Sequence, residues 1–224
     1  MGASRTFNGT TSDIDFGDQD LMDGASEYTA MGWINTNQTS SAFGLYTKWS
    51  FISRPFHFDA GAKLSTSIGD ADNDSQRVFK STANYSTMVS TGVWHHFTCQ
   101  NSLTSTSIQK TYLNAVAQAG SITFNTTAKS EIQPNTATLN VGNFGGTLLF
   151  MNGSLAYTAI YDTLLSQEAI IEVTSQPFAF IPLSVVPLWD SGSSEYEIGN
   201  NYVGTNTSVT ENFDGPPVFL LGGQ

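Results

Sequence analysis

Short runs in which Val, Ile, Thr, Phe, Tyr and Trp alternate with small polar residues follow one another through most of this chain, punctuated by clusters of Gly, Asn, Asp and Ser. A period of two sends alternate side chains to opposite faces of a strand, and the punctuating residues tolerate the backbone angles of tight turns. The pattern predicts strands over residues 5–7, 13–16, 28–34, 43–49, 56–60, 64–68, 76–79, 94–100, 108–113, 139–141 and 151–160. Their number and spacing are those of a two-sheet antiparallel sandwich or jelly roll. The segment at 91–99 is the sharpest example: Gly92 opens a turn, Trp94, His96 and Thr98 then share one face, and His95, Phe97 and Cys99 share the other.

Only one helix is predicted, near residues 166–173. Ser166 is placed to cap it, Glu168 lies in the first turn at the positive end of the dipole, and Ala169, Ile170, Ile171 and Val173 supply an apolar side. Gln176-Pro177 ends it, and beyond Pro177 the character of the chain changes. A proline-interrupted apolar run at 178–189 precedes a Ser/Gly/Asn-rich run, then Asp214-Gly215-Pro216-Pro217-Val218-Phe219-Leu220-Leu221. Proline cannot donate to a ladder, so this tail suits edge strands or an arm over another surface. We divide the chain into a domain at 1–175 and an extension at 176–224 that completes the sheet or docks on a neighbouring subunit.

With 224 residues the chain can bury a substantial core. Its net charge of −11 repels phosphate backbones and anionic membranes, which argues against nucleic-acid binding. One cysteine, Cys99, excludes an intramolecular disulfide and a cysteine-based zinc site. After Met1 the chain runs directly into Arg5-Thr6-Phe7-Asn8-Gly9, without a basic start and an apolar run, so synthesis in a cytoplasm is expected. The run at 178–189 is too short to span a bilayer.

Several segments occur together in an order that resembles laminin G-like domains of the concanavalin A-like jelly-roll superfamily. They are Phe7-Asn8-Gly9-Thr10 with Asp13-Ile14-Asp15-Phe16-Gly17, Tyr28-Thr29-Ala30-Met31-Gly32-Trp33-Ile34, and Thr91-Gly92-Val93-Trp94-His95-His96. Lys110-Thr111-Tyr112-Leu113-Asn114-Ala115, Leu139-Asn140-Val141-Gly142-Asn143, and Met151-Asn152-Gly153-Ser154-Leu155-Ala156-Tyr157 leading into Ile160-Tyr161-Asp162 follow in sequence. The resemblance implies an all-β, two-sheet antiparallel jelly roll. Family members commonly begin with a further apolar strand and a Gly-Thr-Val strand, which this chain lacks at its start. Similar residues occur at its far end, as Val186-Pro187-Leu188-Trp189-Asp190 and the stretch from Gly199 to Asn206, suggesting circular permutation.

Candidate chemistry is sparse. Asp13, Asp15 and Asp18 have the spacing of the carboxylates with which retaining glucanases flank a sugar. No Glu stands beside them as acid, Gly17 is expected to begin a turn, and they read as a solvated face; no catalytic residue is assigned. Asp70, Asp72 and Asp74 set three hard oxygen ligands in one hairpin loop, a pattern open to Ca²⁺. Ser75 stands where a helix-loop calcium motif requires Gly, and the resemblance adds that calcium is common in this superfamily. Adjacent His95 and His96 point to opposite faces and so cannot chelate one ion. Trp33 and Trp94 read as packing, whereas Trp49, following Lys48 beside a loop, is a candidate glycan platform.

The resemblance implies a non-enzymatic module that binds glycans or proteins or builds assemblies. Without an export signal, we expect a virion component, a phage capsid or tail surface decoration protein. Its expected contacts are its own copies or capsid and tail proteins, with Trp189, Pro216, Pro217, Val218, Phe219, Leu220 and Leu221 as docking residues. A calcium-dependent glycan-binding module, outside or on the surface of a cell, is the alternative, and a glycanase the third reading.

Overall fold

The computed structural model describes residues 4–18, 23–39, 41–48, 53–58, 63–69, 76–105, 107–126, 130–132, 134–144, 148–175, 185–189 and 205–212. Two antiparallel sheets of eight strands each face one another. The first sheet, A, is formed by β1 (Ser4–Asn8), β3 (Glu27–Thr36), β8 (Trp94–Ser102), β9 (Lys110–Leu113), β10 (Val116–Ala117), β13 (Asn152–Tyr161), β14 (Val185–Trp189) and β16 (Thr210–Asn212). Sheet B contains β2 (Asp13–Asp18), β4 (Phe43–Lys48), β5 (Ser53–Phe58), β6 (Lys63–Gly69), β7 (Gln76–Asn84), β11 (Gly120–Thr126), β12 (Thr138–Val141) and β15 (Thr205–Thr207). This is the all-β jelly-roll sandwich that the alternating runs require.

Alternation decides what lies between the sheets. Phe7, Ile14, Phe16, Tyr28, Ile34, Leu64, Ile68, Phe97, Cys99, Val141, Leu155 and Ile160 form one continuous buried cluster. On β8 the odd positions Phe97 and Cys99 enter that cluster, while His96, Thr98 and Gln100 lie on the opposite, outer face. Close packing also explains a glycine. A Cβ on Gly142, at φ +88°, would sit 2.2 Å from the Phe7 ring, so only hydrogen lets β12 run past this core residue.

The outer face of sheet A is covered as well. A short helix, α1 (Tyr85–Met88), follows β7, and the longer α2 (Gln167–Ser175) follows β13. Ser166 Oγ accepts from the Ala169 N–H at 3.2 Å, satisfying one of the amide groups that a helix start leaves open. Ala169, Ile170 and Val173 then pack on Met31, Tyr112, Ala159 and Tyr161, a second apolar cluster. Ile171 remains 53% exposed, so the helix presents three of its four expected apolar residues to the sheet.

The pattern missed β10, β11 and α1, whereas the tail, expected to suit edge strands, supplies the short strands β14, β15 and β16. The pattern also expected Gly17 to end β2, whereas Gly17 lies inside the strand at φ +73°, beside the register shift between Thr138 and Asn140 on β12. A bulge absorbs the left-handed residue and the strand continues to Asp18.

The chain's last described strands pair within the same molecule. β1 pairs the first half of β13 and β14 the second half, with Thr158 opposite Trp189. β15 forms the edge of sheet B beside β2, and β16 the edge of sheet A beside β1. Among the described residues no helix is long and apolar enough to cross a membrane.

Candidate functional site

β2 brings its carboxylates into three different environments. Asp15 stands opposite Asn140, which in turn stands opposite Thr47, so the three form one polar row across β2, β12 and β4. Asp15 is tied locally, accepting from the Gly17 N–H at 2.7 Å. Asp13 is 8% exposed rather than part of a solvated face, because β15 pairs alongside it with Thr207 directly opposite. Burial raises the Asp13 carboxyl above its usual range and the Asp15 charge adds to that, while hydrogen bonds from Thr207 and Asn143 oppose it.

At the end of β2, Asp18 meets a buried lysine. The Lys48 side chain has no exposed surface, and its Nζ lies 3.6 Å from Asp18 Oδ1 and 3.3 Å from Asp23 Oδ1. Asp23 also accepts from the Asn135 backbone N–H and from its side-chain Nδ2, both at 3.3 Å. Lys48 is positioned by strand register, opposite Leu139 at the end of β4. Two carboxylates held by one ammonium neutralise its charge inside the rim.

Beside this ion-pair cluster the rim opens into a polar cleft of about 300 Å³, lined by Asp23, Gly24, Ala25, Ser26 and Asp162. Main-chain hydrogen bonds fix its walls. Gly24 N–H donates to Ile132 O at 2.7 Å, Ile132 N–H to Ala25 O at 2.8 Å, and Leu103 N–H to Ser26 O at 2.8 Å. Asp162, immediately after β13, completes the lining. The cleft therefore presents Asp23 and the Ser26 hydroxyl on a braced loop together with the Asp162 carboxylate after β13, a donor and acceptor set suited to a polyhydroxylated ligand.

The histidines are framework. His96 is 1% exposed and burial lowers it to about 3, so it stays neutral through the physiological range. Thr174 Oγ1 donates to Ile170 O at 2.7 Å, which leaves it to accept from His96 Nδ1–H at 2.9 Å. The neutral ring thereby ties sheet A to the last turn of α2, and it meets Trp33 edge to face with centroids 5.4 Å apart. His95, on the other face, bonds to the Ser90 N–H and Asn114. Burial pushes the Cys99 thiol up to about 12, so it packs as an apolar residue.

Asp70, Asp72, Asp74, Trp49 and residues 216–221 lie outside the described residues, and Trp189 is described only as a backbone position of β14. Among the described residues no three His, Cys, Asp or Glu side chains come together as metal ligands. Sequence reasoning overlooked Asp23, Ser26 and Asn135, although Asp23-Gly24 is a turn signal that marks a loop tip.

The fold is that of a two-sheet jelly-roll domain. The family model for the concanavalin A-like lectin/glucanases superfamily, laminin G type, matches residues 8–171, and the chain belongs to that family. A search of curated protein sequences finds no match. Among solved structures, a candidate carbohydrate-binding protein from Bacteroides ovatus superposes with a TM-score of 0.70 at 12% identity, covering 96% of this chain. The present chain spans 62% of that protein's length. A heptameric SAP-like pentraxin from Limulus polyphemus gives 0.59 at 11% identity, over 94% of both chains. The Ruminococcus gnavus sialidase CBM40 bound to α2,3 sialyllactose gives 0.53 at 11% identity, over 76% of this chain and 97% of its own. At these identities the likeness establishes a shared fold.

Proposed function

We propose that this domain is a non-enzymatic glycan-binding module whose ligand sits in the rim cleft of Asp23, Ser26 and Asp162. The cleft of about 300 Å³ carries this reading, since it has the volume for a sugar ring and a lining of oxygen atoms that bind hydroxyls. The superfamily and two of the structural relatives, which are described as carbohydrate-binding, support it. A net charge of −11 and two carboxylates in the lining favour neutral or amino sugars over acidic ones. Trp49, next in sequence to the Lys48 that holds Asp23, is our choice for the aromatic platform, and Asp70, Asp72 and Asp74 for a Ca²⁺ site that would make binding calcium-dependent. The unit that binds is residues 1–175, with 176–224 as its extension. Trp189 and residues 216–221, the expected docking residues for a virion, keep that role only as an expectation; none of the relatives above is described as a virion protein, so glycan binding takes precedence.

A glycan array probed with the full chain, with and without EDTA, tests the proposal. Neutral glycans should be retained, and Asp162→Ala should weaken the best ligand about 10- to 100-fold, the range for losing hydrogen bonds to a charged group, at unchanged melting temperature. Sensitivity to EDTA would assign the calcium role. Background signal for every glycan, or equal affinity in Asp162→Ala and Trp49→Ala, would overturn the assignment.

A further inference from the structure

Both sheets terminate, on the same side of the sandwich, in strands drawn from one short segment. β15 places Thr205, Asn206 and Thr207 opposite Asp15, Ile14 and Asp13, and β16 places Thr210, Glu211 and Asn212 opposite Thr6, Arg5 and Ser4. Ser208, at φ +54°, makes the turn between them. The segment thus straddles the gap between the sheets as a clasp. We propose that the paired edges of β1 and β2 form a docking groove for residues 205–212, and that the groove accepts this segment from a second copy of the chain, through the same contacts, once the protein concentration approaches the effective concentration of its own segment.

Four features on the groove recognise the segment. Each edge strand offers its main-chain groups in a fixed antiparallel register. Fully buried Ser12 donates its hydroxyl to Ser208 O at 2.7 Å. Asp13 bonds to Thr207, and Val209 packs against the main core between the two strands. The combination selects this sequence over an arbitrary extended peptide, because a side chain that fits the core must fall one residue after a left-handed turn.

The tether allows exchange. Residues 190–204 separate β14 from β15, fifteen in all, with Gly192, Gly199 and Gly204 and no proline. Fully extended they reach at most about 50 Å, enough to enter a neighbour's groove while β14 keeps its place. Closed and exchanged forms contain the same contacts, so their balance is set by the effective concentration of the tethered segment, on the millimolar scale for short linkers. Exchange therefore rises with protein concentration and is trapped by refolding copies together.

The test uses two full-length chains carrying different tags, one with Asp13→Cys and the other with Thr207→Cys, unfolded and refolded together at about 1 mM and then oxidised. Native Cys99 is buried and does not interfere. Exchange yields a covalent species bearing both tags, several-fold above a control in which Val116→Cys, an exposed position on the far edge of sheet A, replaces Thr207→Cys. The pair Thr6→Cys with Thr210→Cys reads the same event across β1 and β16 and covers the case in which Asp13→Cys disturbs the fold. Two-tag product at the control level for both register pairs would overturn the proposal.

Discussion

Replacing Lys48 by Met keeps the length of the side chain and removes its charge, which isolates the electrostatics of the rim. In the folded protein the ammonium is fully buried, Asp23 retains 12% exposure and Asp18 41%. Breaking a fully buried pair costs about 3–5 kcal/mol, whereas an exposed pair contributes about 0–1 kcal/mol. Asp18 falls near the second limit because solvent screens it. Asp23 falls nearer the first, softened by the two hydrogen bonds from Asn135. We therefore expect Lys48→Met to lose about 2–3 kcal/mol, a fall of roughly 5–10 °C in melting temperature for a domain of this size. Adding Asp23→Asn removes the orphaned charge while leaving an oxygen for Asn135, so the double variant should regain about half of the loss. Calorimetry at pH 7 in low and high salt measures both, with little salt dependence because the pair is shielded from ions. A single variant within about 1 °C of the parent, or a double variant no more stable than the single, would refute the reasoning.

Two pH-linked outcomes follow from the buried groups. His96 falls from an ordinary 6.5 to about 3 in the fold, so the unfolded chain takes up a proton that the native protein refuses. Its contribution is complete above pH 6.5 and is lost as pH falls towards 3, at up to about 1.4 kcal/mol per pH unit; His96→Gln should flatten that part of an acid-unfolding profile, and an unchanged profile would contradict the assignment. Asp13 has the opposite sign, since its carboxyl is raised by burial and protonation favours the native state. Asp13→Asn should melt about 1–3 °C higher than the parent at pH 7, with the gain shrinking as pH falls through the raised value; a lower melting temperature would show that the Thr207 and Asn143 bonds need the charge.

The framework was legible because it is written in a short-range code. Phe97 and Cys99 on one face of β8 and His96 on the other follow from period two alone, as does the separation of His95 from His96. Ser166, Glu168 and Ala169-Ile170 announced α2 through cap, dipole and apolar side. Gly17 was misread because local propensity marks a left-handed glycine as a turn, whereas cross-strand pairing with β12 keeps it in β2 as a bulge. Asp13 was misread for a similar reason: its burial comes from β15, nearly two hundred residues away in the chain. The rim was the least legible part. Lys48, Asp18, Asp23 and Asn135 carry no spacing that marks them as partners, and only the packing of four separate segments brings them together.

What remains open on the described surface narrows where a ligand can enter. α2 and its apolar cluster close much of the outer face of sheet A, with His96 serving as a neutral tie beneath the last turn. The clasp closes the edges of β1 and β2, and it withdraws Asp13 from solvent together with the glucanase-like spacing that first drew attention to β2. The remaining carboxylates of that stretch are occupied, Asp15 by the Gly17 amide and Asp18 by Lys48. The cleft of Asp23, Ser26 and Asp162 differs through Asp162 and Ser26, since Asp23 is itself held by Lys48 and Asn135. Asp162 is exposed, the lining is polar and the loop beneath it is braced by three main-chain hydrogen bonds, so a ligand would meet a site already arranged, with less ordering cost to offset its binding. Lys48 links this cleft to β2 and β4 through Asp23. The same buried ammonium that stabilises the rim therefore also sets the position of the cleft's inner carboxylate.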